Sequence, residues 1–168
     1  ASLPEGEAYG WISCGNYVSS SDGSETWGKP VIIAKGDDER GQSYNEIAVL
    51  PRREKPWVCM VRMNACFRIQ KPGGLGGLGG YRCLSYDQGK TWTLPEPVRD
   101  IMASPVLYEL KDGSILFAAS IWASTYMYIS HDDGLSWSYQ MKVPRSGGDT
   151  HCWIQPDEDT LVVAHKEI

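Results

Sequence analysis

No apolar run in the 168-residue chain approaches the roughly 18 residues that a membrane-crossing helix needs, so no membrane span is expected. No basic, then apolar, then small-residue leader opens it. A basic excess is also missing. Sixteen Lys and Arg stand against 21 Asp and Glu, and both signs are scattered along the chain. That net charge of −5 argues against nucleic acid or an anionic membrane surface as the main partner. The five cysteines (Cys14, Cys59, Cys66, Cys83, Cys152) show no C-x-x-C metal or redox spacing. Cys59 and Cys152 sit in strand-like apolar runs and read as small buried hydrophobes, with one disulfide left open. The three histidines are too far apart for a zinc motif, so neither metal nor cofactor is expected. Phe is scarce, at two, whereas Trp reaches seven, Tyr nine, Gly 18 and Pro 10. Many turns with Trp and Tyr suit short twisted strands better than long helices.

What the chain does have is a repeat. Ser85-Tyr-Asp87-Gln-Gly89-Lys-Thr91-Trp92 reads S-x-D-x-G-x-T-W, and Ser130-His-Asp132-Asp-Gly134-Leu-Ser136-Trp137 reads the same with Ser for Thr. Ser20-Ser-Asp22-Gly23-Ser24-Glu-Thr26-Trp27 is a third copy with its Gly one place early. Strand-like runs precede and follow each octamer, which makes each one a hairpin turn. The Asp carboxylate can accept the turn's own N–H groups. Gly supplies a positive φ, and the hydroxyls tie the strand ends together. The Trp is expected to bury its apolar face against the sheet.

The octamers lie 65 and then 45 residues apart, about the span of one four-stranded propeller blade. Between them fall strand–turn–strand units, such as Leu107–Ala118 with its Asp112-Gly113 turn. The expected fold is therefore all-β, a β-propeller of four-stranded antiparallel blades with about half of the ring present. The expected division is a blade end at 8–36, complete blades at 43–98 and 102–143, and a blade start at 150–168. Such a chain cannot close alone, and its open edges would need further blades from the same or another chain. The Gly-rich run 73–80 has no Gly-Lys-Ser/Thr and reads as a flexible hairpin loop.

With these octamers the chain resembles the sialidase superfamily, whose six-bladed propellers carry Asp-box repeats. A second match is Tyr44-Asn45-Glu46, a strand, a turn, and a strand ending in Arg62, then Tyr81-Arg82 leading into Ser85-Tyr-Asp87. The resemblance implies that Glu46 holds and activates a Tyr nucleophile and that Arg62 clamps a substrate carboxylate. An Arg fork suits a carboxylate, and a Glu beside a Tyr can take its proton. Phe67-Arg68-Ile69-Gln70 is similar to the family's first Arg motif but falls after the Glu blade, with Gln for Pro, and reads as coincidence. No nucleophilic Tyr, general-acid Asp or third Arg is assigned. Matching Pro51 to Pro156 puts His151 in the position of Glu46, facing the funnel, where it could bind sugar or move a proton.

The expected function is a sialidase-like exo-glycosidase acting on a terminal acidic sugar, inactive as this segment alone. The octamers lie away from the family's active site and argue fold only. Two alternatives stay open: a non-catalytic propeller that binds glycan or assists assembly, and another sugar hydrolase or a lyase on the same fold. Location also stays open, with a secreted or periplasmic one favoured.

Overall fold

The computed structural model describes residues 14–36, 42–65, 79–99, 103–121, 124–143 and 152–164. Every regular element among them is a β-strand. In chain order these are β1 (Gly15–Tyr17), β2 (Val31–Ala34), β3 (Gln42–Leu50), β4 (Trp57–Ala65), β5 (Gly79–Ser85) and β6 (Glu96–Arg99). They continue as β7 (Ala103–Glu109), β8 (Ile115–Ile121), β9 (Ser124–Ser130), β10 (Ser138–Lys142), β11 (Cys152–Ile154) and β12 (Val162–Ala164). β3 to β6 form one four-stranded sheet and β7 to β10 another, each pairing its strands in sequence order. All pairings are antiparallel, and the pairs β1–β2 and β11–β12 flank the two sheets.

The central strands show why the sheets stack. Side chains alternate across a strand, yet Val58, Cys59, Met60 and Val61 of β4 are all fully buried. Cys59 and Val61 join Ile33, Ala34, Tyr44 and Cys83 in the core against β1–β2. Met60 instead meets Phe117, Ala119 and Tyr128, and Val58 meets Leu84 and Ile115, on the side of β7–β10. β8 repeats the pattern, with Leu116 and Ala118 turned to Met127, Val143 and Trp153. A strand covered on both faces reads as a continuous apolar run. Burial of each large side chain there contributes about 1.5–3 kcal/mol. The four sheets follow one another face to face, the arrangement of a partial β-propeller. The described residues do not close a ring.

The octamers are the turns between β1 and β2, β5 and β6, and β9 and β10. In the second, Ser85 Oγ accepts from Gly89 N (2.8 Å) and donates to Asp87 Oδ1 (2.9 Å). Asp87 also accepts from Thr91 N (2.8 Å) and Thr91 Oγ1 (2.7 Å). The third repeats all four bonds, with Ser136 in place of Thr91. So does the first, with Ser24 N donating to Ser20 Oγ at 2.9 Å.

Two successive left-handed residues make each bend. They are Gln88 (φ 59°) and Gly89 (φ 85°), Asp133 (φ 59°) and Gly134 (φ 85°), and Gly23 (φ 73°) and Ser24 (φ 75°). The early Gly of the first copy thus leaves Ser24 in the more demanding place.

One expectation fails. Trp92 and Trp137 pack into the cores shared with the preceding sheet, but Trp27 is 59 % exposed. The Trp of a turn covers the joint to the sheet before it, and no described sheet precedes β1.

The joints between sheets repeat as well. Tyr17 and Arg82 each stand three residues before the Ser of their own octamer. Tyr17 OH donates to Gly89 O (2.8 Å) in the next sheet's turn. Arg82 Nη1 donates to Gly134 O (2.8 Å) and Leu135 O (2.7 Å) in the one after. Buried Arg52, in the β3–β4 turn, reaches Glu109 Oε1 (2.9 Å), Asp133 Oδ1 (2.6 Å) and Gly113 O (3.1 Å) of the following sheet. This places the β3–β4 and β7–β8 turns and the octamer turns at one end of the sheets.

Candidate functional site

The opposite end holds the candidate site. The register of β3 against β4 pairs Tyr44 with Met63 and Ile47 with Val61. Asn45 and Glu46 therefore stand opposite the single residue Arg62, in a β-bulge. A bulge bends its strand and re-aims its side chains. Here it turns Glu46 onto its cross-strand neighbour. Arg62 Nη1 donates to Glu46 Oε1, and Asn45 Oδ1 accepts from Glu46 N at 2.8 Å. The other Glu46 oxygen, Oε2, accepts from Ser104 N at the start of β7. The carboxylate is thus held from its own sheet and from the next one. The Arg62 side chain is 20 % exposed and that of Glu46 is 37 % exposed, so both reach the surface. Arg62 Nε is buried and has no hydrogen-bond partner among the described residues.

Of the residues expected at the site, Glu46 and Arg62 come together. His151 lies outside the described residues, as do Phe67–Gln70, His165 and 73–78 of the Gly-rich run. The octamer residues are at the far end and touch neither Glu46 nor Arg62. Ser104 was not singled out from the sequence. A positive φ at a serine inside a strand leaves no local trace, and its bond to Glu46 spans 58 residues.

Other chemistry-bearing side chains are taken up structurally. Burial pushes the thiol of Cys59 well above its ordinary range and that of Cys83 up to about 12, so neither supplies a thiolate near neutral pH. Burial also raises the Tyr17 phenol, with the Asp87 charge adding to it, which keeps its proton available for Gly89 O. Among the described residues no cluster of three His, Cys, Asp or Glu could hold a metal ion. No described helix is long and apolar enough to cross a membrane. A groove of about 370 Å³ between Leu110, Lys111, Asp112, Gln155 and Glu158 lies at the turn end, away from Glu46.

Solved structures share this architecture. One is a Hadza microbial sialidase, Hz136, with a TM-score of 0.73 and 15 % identity over 90 % of this chain and 35 % of that one. Another is a protein of unknown function from Dyadobacter fermentans, with a TM-score of 0.60 and 25 % identity over 82 % of this chain and 45 % of that one. The chain spans less than half the length of either. The first likeness shows a sialidase-like fold, and at that identity it shows the fold alone. No protein-family model and no curated protein matches the chain.

Proposed function

We propose that the chain belongs to a sialidase-like exo-glycosidase that removes a terminal acidic sugar from glycans. In this reading the three octamer turns are Asp-boxes. Residues 43–98 and 102–143 are complete blades, 8–36 ends a blade and 150–168 begins one. Remaining blades come from the same or another chain.

The observation that carries the reading is the bulge-aimed pair. Glu46 occupies only Nη1 of Arg62, while the buried Nε has no described partner. Arg binds carboxylates best through two parallel N–H groups. A sugar carboxylate reaching the part of the Arg62 side chain that stays exposed would pair with the fork beyond the Nη1 that Glu46 fills. Glu46, anchored beside it, would take the proton of a nucleophilic Tyr. His151 is the third proposed ligand-facing residue, on the repeat alignment alone.

The test is hydrolysis of a fluorogenic sialoside by the full-length protein. Glu46→Gln should lower kcat by about 10²–10⁴-fold, the usual effect of losing a general base. Arg62→Ala should chiefly raise KM. Equal activity of wild type and Glu46→Gln would sink the mechanism.

One observation favours a second reading, a propeller that binds acidic glycans without cleaving them. Both oxygens of Glu46 already accept bonds, from Arg62 and from Ser104. Retention on a sialoglycan array without product release would select this alternative.

A further inference from the structure

We propose that Ser104 is a positioning residue, whose backbone amide fixes the Glu46 carboxylate from the neighbouring sheet, so that the site is assembled between two sheets rather than within one. The functional meaning of this clamp rests on the reading of Glu46 above.

Five non-glycine residues among those described have a positive φ: Ser24, Glu54, Gln88, Ser104 and Asp133. Ser24, Gln88 and Asp133 sit in octamer turns, and Glu54 sits in the β3–β4 turn. Ser104, at φ 47°, is the one inside a strand. It also precedes Pro105, whose ring drives the residue before it towards extended conformations. Both features make the left-handed state unfavourable there. Such conformations persist only where the surroundings over-determine them, and they concentrate at functional sites.

The surroundings are on view. β7 carries a bulge of its own: Ala103 pairs with Ser120 and Val106 with Ala118, so Ser104 and Pro105 stand opposite Ala119 alone. Pro105 is buried and Ala119 is fully buried, which pins the bulge from below. The product of this arrangement is one bond, from Ser104 N to Glu46 Oε2. Arg62 holds Oε1 from the other side. With each oxygen tied to a different sheet, the carboxylate cannot rotate about its last torsion without breaking one of the two bonds. A relaxed, extended residue 104 would turn its N–H elsewhere and leave Glu46 to swing with Arg62.

The experiment has two arms, both on the full-length protein. The first follows amide hydrogen exchange at Ser104 by NMR in wild type and in Glu46→Ala. Exchange at Ser104 should be at least tenfold faster in the variant, with distant amides of β8 and β9 unchanged. Equal exchange would overturn the clamp.

The second arm compares Ser104→Gly, which adopts a positive φ freely, with Ser104→Val and the milder Ser104→Thr, which resist it. On the fluorogenic sialoside, Ser104→Gly should keep kcat within about twofold. The β-branched variants should lose about tenfold in kcat with KM little changed, a split that a loss of folded protein would not produce. Full kcat in folded Ser104→Thr and Ser104→Val would overturn the positioning role. If wild type itself releases no product, the glycosidase reading fails, and the exchange arm alone then decides whether Ser104 holds Glu46.

Discussion

The two four-stranded sheets carry the same bulge just before the last four residues of their first strand, with different residues in it. In β3 the bulge is Asn45–Glu46 opposite Arg62; in β7 it is Ser104–Pro105 opposite Ala119. The backbone device is common to both, but the charged pair occurs in only one. The second sheet contributes an amide from the matching place. Repetition supplies the scaffold, and single substitutions at a repeated bend supply the chemistry. This is why the fold and the proposed function rest on different residues.

At the other end, the three octamer turns differ in how closely their neighbours press on them. A Cβ on Gly89 would lie 2.4 Å from Tyr17 Oη and 2.6 Å from the Trp57 ring. On Gly134 it would lie 3.1 Å from a Val58 methyl, and on Gly23 it would meet nothing within 4 Å. Stability losses from alanine should rank in that order. Gly89→Ala should cost roughly 2–4 kcal/mol, combining a positive φ with overpacking. Gly134→Ala should cost less, and Gly23→Ala only the backbone share of about 1 kcal/mol. Urea unfolding of the three variants reads this directly. Equal losses would mean that the preceding sheet does not press on the turns.

Arg52→Met should destabilise by about 2 kcal/mol. This is below the 3–5 kcal/mol of a fully buried pair, because Glu109 and Asp133 remain partly hydrated. A double-mutant cycle with Asp133→Asn checks it, since uncoupled losses would show that the joint does not run through this pair.

Acid should act on all three turns together. Hydrogen bonds hold their carboxylates down from 3.8 to about 2: from Ser20 first and then Thr26 at Asp22, from Thr91 at Asp87, and from Ser136 at Asp132. A carboxylate lowered on folding contributes its stability in full above its unfolded value. That contribution is lost as pH falls from about 4 through about 2. Asp87→Asn should flatten part of the stability decline over that window in a pH series of melting curves, and an unchanged slope would remove the turn from the account of acid sensitivity. The smallest effect should be a gain. Ser24→Gly frees a strained φ of 75° and should add about 0.5–1 kcal/mol, read as a higher melting midpoint.

The turns were legible in the sequence because all their bonds close within eight residues. The central strands were legible because burial on both faces leaves runs such as Val58–Val61. Glu46 and Arg62 came from a family likeness, and the structure brings them into contact. Their bulge could not be seen, since a bulge exists only relative to the register of its partner strand. The joints made by Arg52 and Arg82 leave no local pattern, because their acceptors lie 52 to 81 residues away, except for Glu96, the cross-strand neighbour of Arg82. Trp27 was misjudged because its fellows are covered by a neighbouring sheet in addition to their own.

The Tyr17 and Arg82 joints also have a direction. In both, a donor three residues before one octamer meets the fifth residue of the next. Such a contact joins two unlike surfaces, head to tail, so applying it again performs the same rotation again. An interface of that kind has no internal stop: it must either complete a circle or advance as a screw. Blade number is then a matter of the angle per step.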